Sequence, residues 1–572
     1  MELTLCESAN DCLDFPSYPL ASGPIPDDVA LLFAKSPEHD PGVCLIEPAD
    51  GTMLPKNWLP PRFRFEPLAG EDLWQITLRA EDVERHDLVV YTTRPQWTMD
   101  AGMWKNLSSH ASGKTIDVRV RGINSDAGGP ISETRAKFEI APVEATGTIV
   151  YWAADGPFSA GGETKLVGFE IGESGTVDVL QVNDVQERAL DAIGNLKAPE
   201  GDAAEGKVRC IGCHTSTPEA DAVAFVDNWP WNSVVASITE ENRGERPGYV
   251  TRAAGRILQQ PWQGAPTFSK KYWDDTRHLM VQSFGNPDSS GWPDTVGELN
   301  ATHQDRLVWF DLGYGPDLEL PDASLELSEA VVALEGEAFG FIARRGDSRG
   351  AVNPAWSHDG ETIAYVSASG TLDGHAGGTP ADLTREIETD IYLVPFNNGD
   401  GGDAEALDGA SKPGVGEYYP DYSWDDEFIA YTRAGSTQGP VYYRPDGEIY
   451  VIPRAGGTAT RLVANDPPAC TGQASPGIIN SWPKWSPEQH EWNGKQYYWL
   501  IFSSARAYRG QFTLERDKYS PKNTDSSQLY IAAVVVDGDT VTSYPALYLY
   551  NQTTNTTNLT PAWDKFEIPP VR

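Results

Sequence analysis

The stretch that decides the fold is NPAWSHDGETIAYVSA, Asn353–Ala368. It reads as a strand, a tight turn at Asp359 and Gly360, and a second strand rich in β-branched and aromatic residues. A lone hairpin leaves flat apolar faces in water and is marginal at best. The fold therefore depends on whether the unit recurs, and it does. YPDYSWDDEFIAYTRA, Tyr419–Ala434, is a second copy. SWPKWSPEQHEWNGKQYYWLIFSSA, from Ser481, is a third with an insertion in its turn, and APTFSKKYWDDTRHLMVQSF, from Ala265, is a degenerate fourth. HTSTPEADAVAFVD, from His214, makes a fifth, in which Ser216 is aligned with Ser357 and AVAF with TIAY. Further strands follow most copies: DIYLVP, EIYVIP and QLYIAAVVV. Trp356, Tyr422 and Trp485 recur at roughly 65-residue spacing, long for four strands and so implying inserted loops. Units of this kind bury their faces by radial stacking, which predicts a β-propeller.

The repeat resembles the TolB-type β-propeller family, whose blades carry a P-x-W-S-x-D-G-x-x-I-A-Y/F signature. Pro354, Trp356, Ser357, Asp359, Gly360, Ile363, Ala364 and Tyr365 match it. The resemblance covers residues 146–572. Five copies, together with unassigned strands in TKLVGFEI and ALYLYNQ, imply six blades with a terminal strand closing the ring.

Residues 44–145 differ in character. Short alternating segments (LWQITLRAE, DLVVYTTR, TIDVRVRGIN, AKFEIAPV) separated by Gly, Pro, Asp and Asn predict a β-sandwich. The pattern resembles fibronectin type III or immunoglobulin-like modules, with Trp58, Phe63, Phe65 and Trp74 as core aromatics and a spacer or adhesion role implied. Residues 1–43 read as a Cys- and Pro-rich extension in which only DDVALLFAK is regular. The expected architecture is all-β: extension, sandwich, then propeller.

Lys and Arg number 44 against 83 Asp and Glu, a net charge of −39 over 572 residues. Such a field repels phosphate backbones, so nucleic acid is not the expected partner, whereas a basic protein is suited to it. Mean hydropathy of −0.42 and the lack of a long apolar run give no membrane-spanning segment. Cysteines stand at 6, 12, 44, 210, 213 and 470. Setting aside the pair at 210 and 213, four remain, enough for two disulfides in any of three connectivities. That usage suits an exported protein, periplasmic or extracellular. The opening MELTLCES carries no leader pattern, so the expectation is either a mature form of an exported chain or a protein that is not exported.

The chemistry is carried by RCIGCHTSTPEADAVAFVD, Arg209–Asp227. Cys210, two residues, Cys213 and His214 form a CxxCH. Two intervening residues let both sulfurs reach the vinyl groups of one haem, and the adjoining imidazole falls under the iron. A zinc site needs two more ligands at compatible spacing, and none is near in sequence. A redox-active CxxC opens a helix, whereas Pro218 and a strand follow here. A plain disulfide remains the third reading. Chains of this composition resemble a group of secreted bacterial proteins, common in myxobacteria, in which a cytochrome-type CxxCH opens the first TolB-like blade. The turn after His214 departs from that group's pattern: it lacks the Asp-Gly pair and is one residue short.

A sixth iron ligand is expected from the next blade, either Met280 or His278, with His358, His303, Met99 and Met103 in reserve. NNGDGGD, residues 397–403, could supply calcium oxygens, but a plain acidic loop is the simpler expectation. No G-x-S-x-G elbow is present. The expected function is an exported c-type cytochrome with one covalent haem, passing electrons to a redox partner protein. The alternatives are a haem peroxidase or ligand sensor with an open sixth position, and an extracellular protein- or glycan-binding scaffold with structural haem or none.

Overall fold

A computed structural model describes residues 13–570, except 36, 38–41, 127–130, 156–162, 186–207, 209, 228–231, 252–253, 256–257, 259–262, 285–305, 316–334, 370–387, 438–443, 507–526 and 555. From residue 148 onward the strands form six radial blades. Blade 1 joins the two ends of the propeller: Thr557–Asp564 is its innermost strand, followed outward by Thr148–Asp155, Glu163–Glu170 and Val177–Gln181. Blade 2 holds His214–Ser216, Ala222–Val226 and Ser233–Ser237. Blade 3 runs from Thr267–Asp274 to Phe339–Phe341, blade 4 from Gly350–Trp356 to Glu405–Ala406, blade 5 from Gly416–Tyr422 to Thr460–Arg461. Blade 6 is built on Asn480–Trp485, Lys495–Ser504 and Gln528–Asp537. The expected closure by a terminal strand is present. It uses a sixth copy of the repeat, TPAWD at Thr560–Asp564, which answers to NPAWS at Asn353–Ser357.

Blades 2, 4 and 5 share one turn device. Ser357 N–H donates to the Thr362 carbonyl and Gly360 N–H to the Ser357 carbonyl, 2.9 Å each. Ser423 and Asp426 repeat these bonds in blade 5, and Thr217 and Ala220 in blade 2. Gly360, Asp426 and Ala220 all take the left-handed conformation, at φ 72°, 59° and 64°. Thr217, not Ser216, therefore stands where Ser357 stands, and the turn after the CxxCH is of full length. The expected gap came from reading Ala220 as incapable of a glycine's role.

The N-terminal region has two sheets, of six and three strands, over a common core that includes Trp58, Phe63, Phe65 and Trp74. It departs from a fibronectin or immunoglobulin sandwich, whose sheets are antiparallel. Leu20–Ser22, from within the segment read as an extension, pairs in parallel with Leu88–Thr92, and Thr52–Leu54 pairs in parallel with Ser132–Ile140. A helix, Ala101–His110, is also present, capped by Asp100, whose carboxylate accepts from Gly102 and Met103 N–H.

This region is packed on the ring's seam and is not a detached spacer. One cluster joins Met53, Leu54, Trp58 and Val143 to Ile149, Tyr151 and Phe169 of blade 1 and to Trp499, Ile501 and Ile531 of blade 6. Trp499 donates its indole N–H to the Glu144 carbonyl at 3.1 Å. A disulfide, Cys44–Cys470, adds a covalent tie across 426 residues of chain. Cys6 and Cys12 lie outside the described residues. A Cys470→Ser change should cost about 2–4 kcal/mol, read as a lowered denaturant midpoint under oxidising conditions. An unchanged midpoint would show that packing alone fixes the two regions.

Candidate functional site

The innermost strands of blades 1, 4, 5 and 6 carry a bulge just before a proline. Asn353, Tyr419, Trp482 and Thr560 adopt φ of 47°, 57°, 60° and 39°, each followed by Pro. These bulges break the strand register and turn the four side chains toward the ring's centre, where Tyr419 and Trp482 pack with ring centroids 4.2 Å apart. Counting back from Thr217 puts Cys213 at the same position in blade 2, and His214 at the position of the prolines. The CxxCH thus immediately precedes and enters the strand His214–Ser216 of blade 2.

Cys210 and Cys213 are both unbridged. Cys213 packs against the cluster of Val352, Val366, Tyr419 and Trp482 contributed by blades 4, 5 and 6. Cys210 packs elsewhere, against the Val150, Leu166, Val223 and Phe225 cluster between blades 1 and 2. Its backbone N–H donates to the Asp227 carboxylate at 2.9 Å. Burial pushes both thiols up to about 12, so they stay protonated.

His214 is buried, with its Nε2 3.3 Å from the Val150 carbonyl and its Nδ1 buried without a hydrogen-bond partner. Burial lowers its pKa to about 4, against carbonyl contacts with Val150 and Gly212 that act to raise it. The folded imidazole binds a proton less readily than the unfolded one, near 6.5. Its contribution to stability is therefore complete above pH 6.5 and is lost as pH falls toward 4. The apoprotein should lose on the order of 3 kcal/mol at most over that interval. A His214→Gln variant should show a flatter acid limb in its unfolding free energy. Equal limbs would place the titration elsewhere.

The expected sixth ligands are on the wrong side of the sheet. His214 pairs across the strands with Phe225, so the two side chains share a face, and Phe225 belongs to the blade 1–blade 2 cluster. Met280 is fully buried on the other side, with Ala222, Ala224 and Trp273 between blades 2 and 3. His278 lies flat on Tyr249, centroids 4.8 Å apart, with its edge toward Trp273. The sheet of blade 2 stands between these residues and His214. Strand alternation placed His278 and Met280 on one face correctly, but which neighbour that face meets is set by the ring.

The reserve candidates fare no better. His358 bonds Asp426 at 2.9 Å in the blade 4 turn and packs beside Trp424. Met99 and Met103 belong to the N-terminal core, and His303 lies outside the described residues. The turn at 397–403 is held by an Arg345–Asp403 pair at 2.7 Å and a parallel pairing with Ala343–Arg345. Among the described residues no group of three or more His, Cys, Asp or Glu is placed to hold a metal ion.

A covalent haem needs two sulfurs and one imidazole nitrogen within reach of one macrocycle. The donor set fits in composition. His214 fits in a second respect: one ring nitrogen rests on a carbonyl and the other is left over, the disposition of a metal-ligating histidine. Cys210 and His214 both lie at the packed interface between blades 1 and 2. Cys213 is turned away to the ring's centre, and attachment there requires its side chain to leave that cluster.

No family model matches the chain, and no curated protein matches it. Among solved structures it is similar to a nidogen/laminin complex (8% identity, TM-score 0.33) and to a putative TolB from Agrobacterium tumefaciens (10% identity, TM-score 0.30). Each comparison covers 73% of this chain and 98% of the other. Hydrazine synthase from Kuenenia stuttgartiensis aligns over 51% of this chain and 63% of that one, at 11% identity and TM-score 0.26. At these scores the fold stands on its own strand topology.

Proposed function

We propose that the chain is an exported c-type haem protein, a six-bladed propeller holding one haem through Cys210, Cys213 and His214 and exchanging single electrons with a basic partner protein. The observation that carries this is the state of the CxxCH. Two thiols two residues apart are unbridged beside a histidine with one ring nitrogen to spare, in a chain whose Cys44 and Cys470 are joined as a disulfide. Haem bound there would supply one-electron redox chemistry. The burial of His214 keeps its imidazole neutral and able to donate a lone pair at ordinary pH.

The placement of Met280 and His278 behind blade 2 favours a second reading, a haem with an open sixth position that binds small ligands or peroxide. A redox-titrated optical spectrum of protein matured with a cytochrome c assembly system separates the two. Electron transfer predicts a low-spin spectrum, a defined reversible potential and indifference to cyanide and carbon monoxide. A high-spin ferric spectrum with rapid ligand binding selects the open site. A colourless protein rejects both and leaves a binding scaffold.

A further inference from the structure

Away from the CxxCH, titratable side chains gather around the segment that opens the N-terminal region. Asp14 N–H donates to Glu84 Oε1 at 2.7 Å, and His110 Nδ1 donates to the Asp14 carboxylate at 2.8 Å. His86 Nε2 donates to the Phe15 carbonyl at 2.9 Å. Phe15 is buried in the core shared with the seam. Leu20–Ser22 follows as an edge strand of only three residues, paired with Leu88–Thr92. Glu84 and His86 stand in the loop that leads from Leu73–Arg79 into Leu88–Thr92, and His110 ends the helix Ala101–His110. The side chains that grip the segment and the strand that receives it are thus parts of one hairpin and its neighbouring helix.

The two carboxyl groups set this contact apart. The Asp14 carboxylate lies within hydrogen-bonding reach of the Glu84 side chain, and Glu84 Oε2 is buried without a partner. Two ionised carboxylates repel at such a distance, whereas a proton on Glu84 turns the contact into a hydrogen bond. Burial, together with the Asp14 carboxylate, pushes Glu84 up to about 7 from its ordinary 4.5, against the N–H groups of Asp14 and Phe15, which act to lower it. No lysine or arginine is among these influences. A carboxyl group that gains proton affinity on docking holds the docked segment fully below pH 4.5, and that hold is lost as pH rises through about 7. His110 acts in the same sense, since its imidazolium attracts Asp14 more strongly than its neutral ring does.

We infer that Asp14, Glu84 and His110 form a proton-operated clasp, which locks residues 13–22 onto the sheet edge in acid and releases them as the solution turns alkaline. Release bares Leu88–Thr92 as an unpaired edge, a surface able to accept a strand from another chain. The clasp is independent of any haem.

Amide hydrogen exchange of the full chain at pH 5.5 and pH 8.0, expressed as protection factors, tests this. Protection of Asp14–Ser22 and Leu88–Thr92 should fall about tenfold or more at pH 8.0, while Thr52–Leu54, at the opposite edge of the same sheet, keeps its protection. Glu84→Gln, whose amide stands in for the protonated acid, should stay protected at pH 8.0. Asp14→Asn removes the opposing charge, should flatten the response likewise, and serves if Glu84→Gln does not fold. Equal protection of the wild type at both pH values overturns the inference. So does a Glu84→Gln protein that loses protection at pH 8.0 as the wild type does. An equal fall at Thr52–Leu54 also overturns it, because the whole sheet would then be loosening.

Discussion

Removing Thr557–Arg572 is expected to abolish cooperative folding of the propeller. The segment supplies the innermost strand of blade 1, paired with Thr148–Asp155 across Thr148–Asp564 to Ala154–Thr557. Its loss opens the ring at the seam, bares a strand edge and strips Leu559, Ala562 and Phe566 from the blade 1–blade 2 cluster. Trp563, whose indole donates to the Thr146 carbonyl at 2.8 Å, leaves the core shared with the N-terminal region. The truncated chain should show no sharp near-ultraviolet melting transition. A single transition at the full-length midpoint would mean that the ring does not close through this strand. Within the intact chain, Trp563→Ala should cost about 3–5 kcal/mol, a value typical of buried aromatic deletion.

Replacing both cysteines of the motif is expected to remove all covalently retained haem. Cys210→Ala with Cys213→Ala leaves no sulfur beside His214 for a thioether, and Cys44 and Cys470 are bonded to each other in a different part of the fold. The single variants should differ from one another. Cys210 lies with His214 at the interface of blades 1 and 2, on the side of the sheet that a haem held by His214 would occupy. Cys213 must leave the Tyr419 and Trp482 cluster. Cys213→Ala is therefore the variant expected to keep the larger share of single-thioether haem, read from the α-band position and from the fraction surviving acid–acetone extraction. Retention of haem in the double variant would place the attachment elsewhere.

The propeller was legible because blades 2, 4 and 5 begin with one local signal: a Ser or Thr, a left-handed turn residue three positions on, and an apolar strand after it. Asn353–Ala368 shows the signal whole. TPAWD at Thr560 shows only its first half, because Lys565-Phe566-Glu567 stand where the Asp-Gly turn would be and its partner strand, Thr148–Asp155, comes from the other end of the propeller. Ala220 hid the blade 2 turn, since a non-glycine residue at φ 64° is held there by the bonds around it and not by its own preference. The helix Ala101–His110 was passed over although Asp100 stands at its start as a capping residue. The error over Met280 and His278 was of another kind. Alternation within a strand shows which residues share a face, but only the ring order shows that His278 and Met280 meet the side of blade 2 turned away from His214.

The most direct test of a haem at blade 2 is the intact mass and colour of the wild-type chain, secreted alongside a cytochrome c assembly system and stripped with acid–acetone. Attachment through Cys210 and Cys213 predicts a mass raised by one haem and absorption bands that stay with the protein through extraction. A colourless protein at the mass of the bare polypeptide would contradict it.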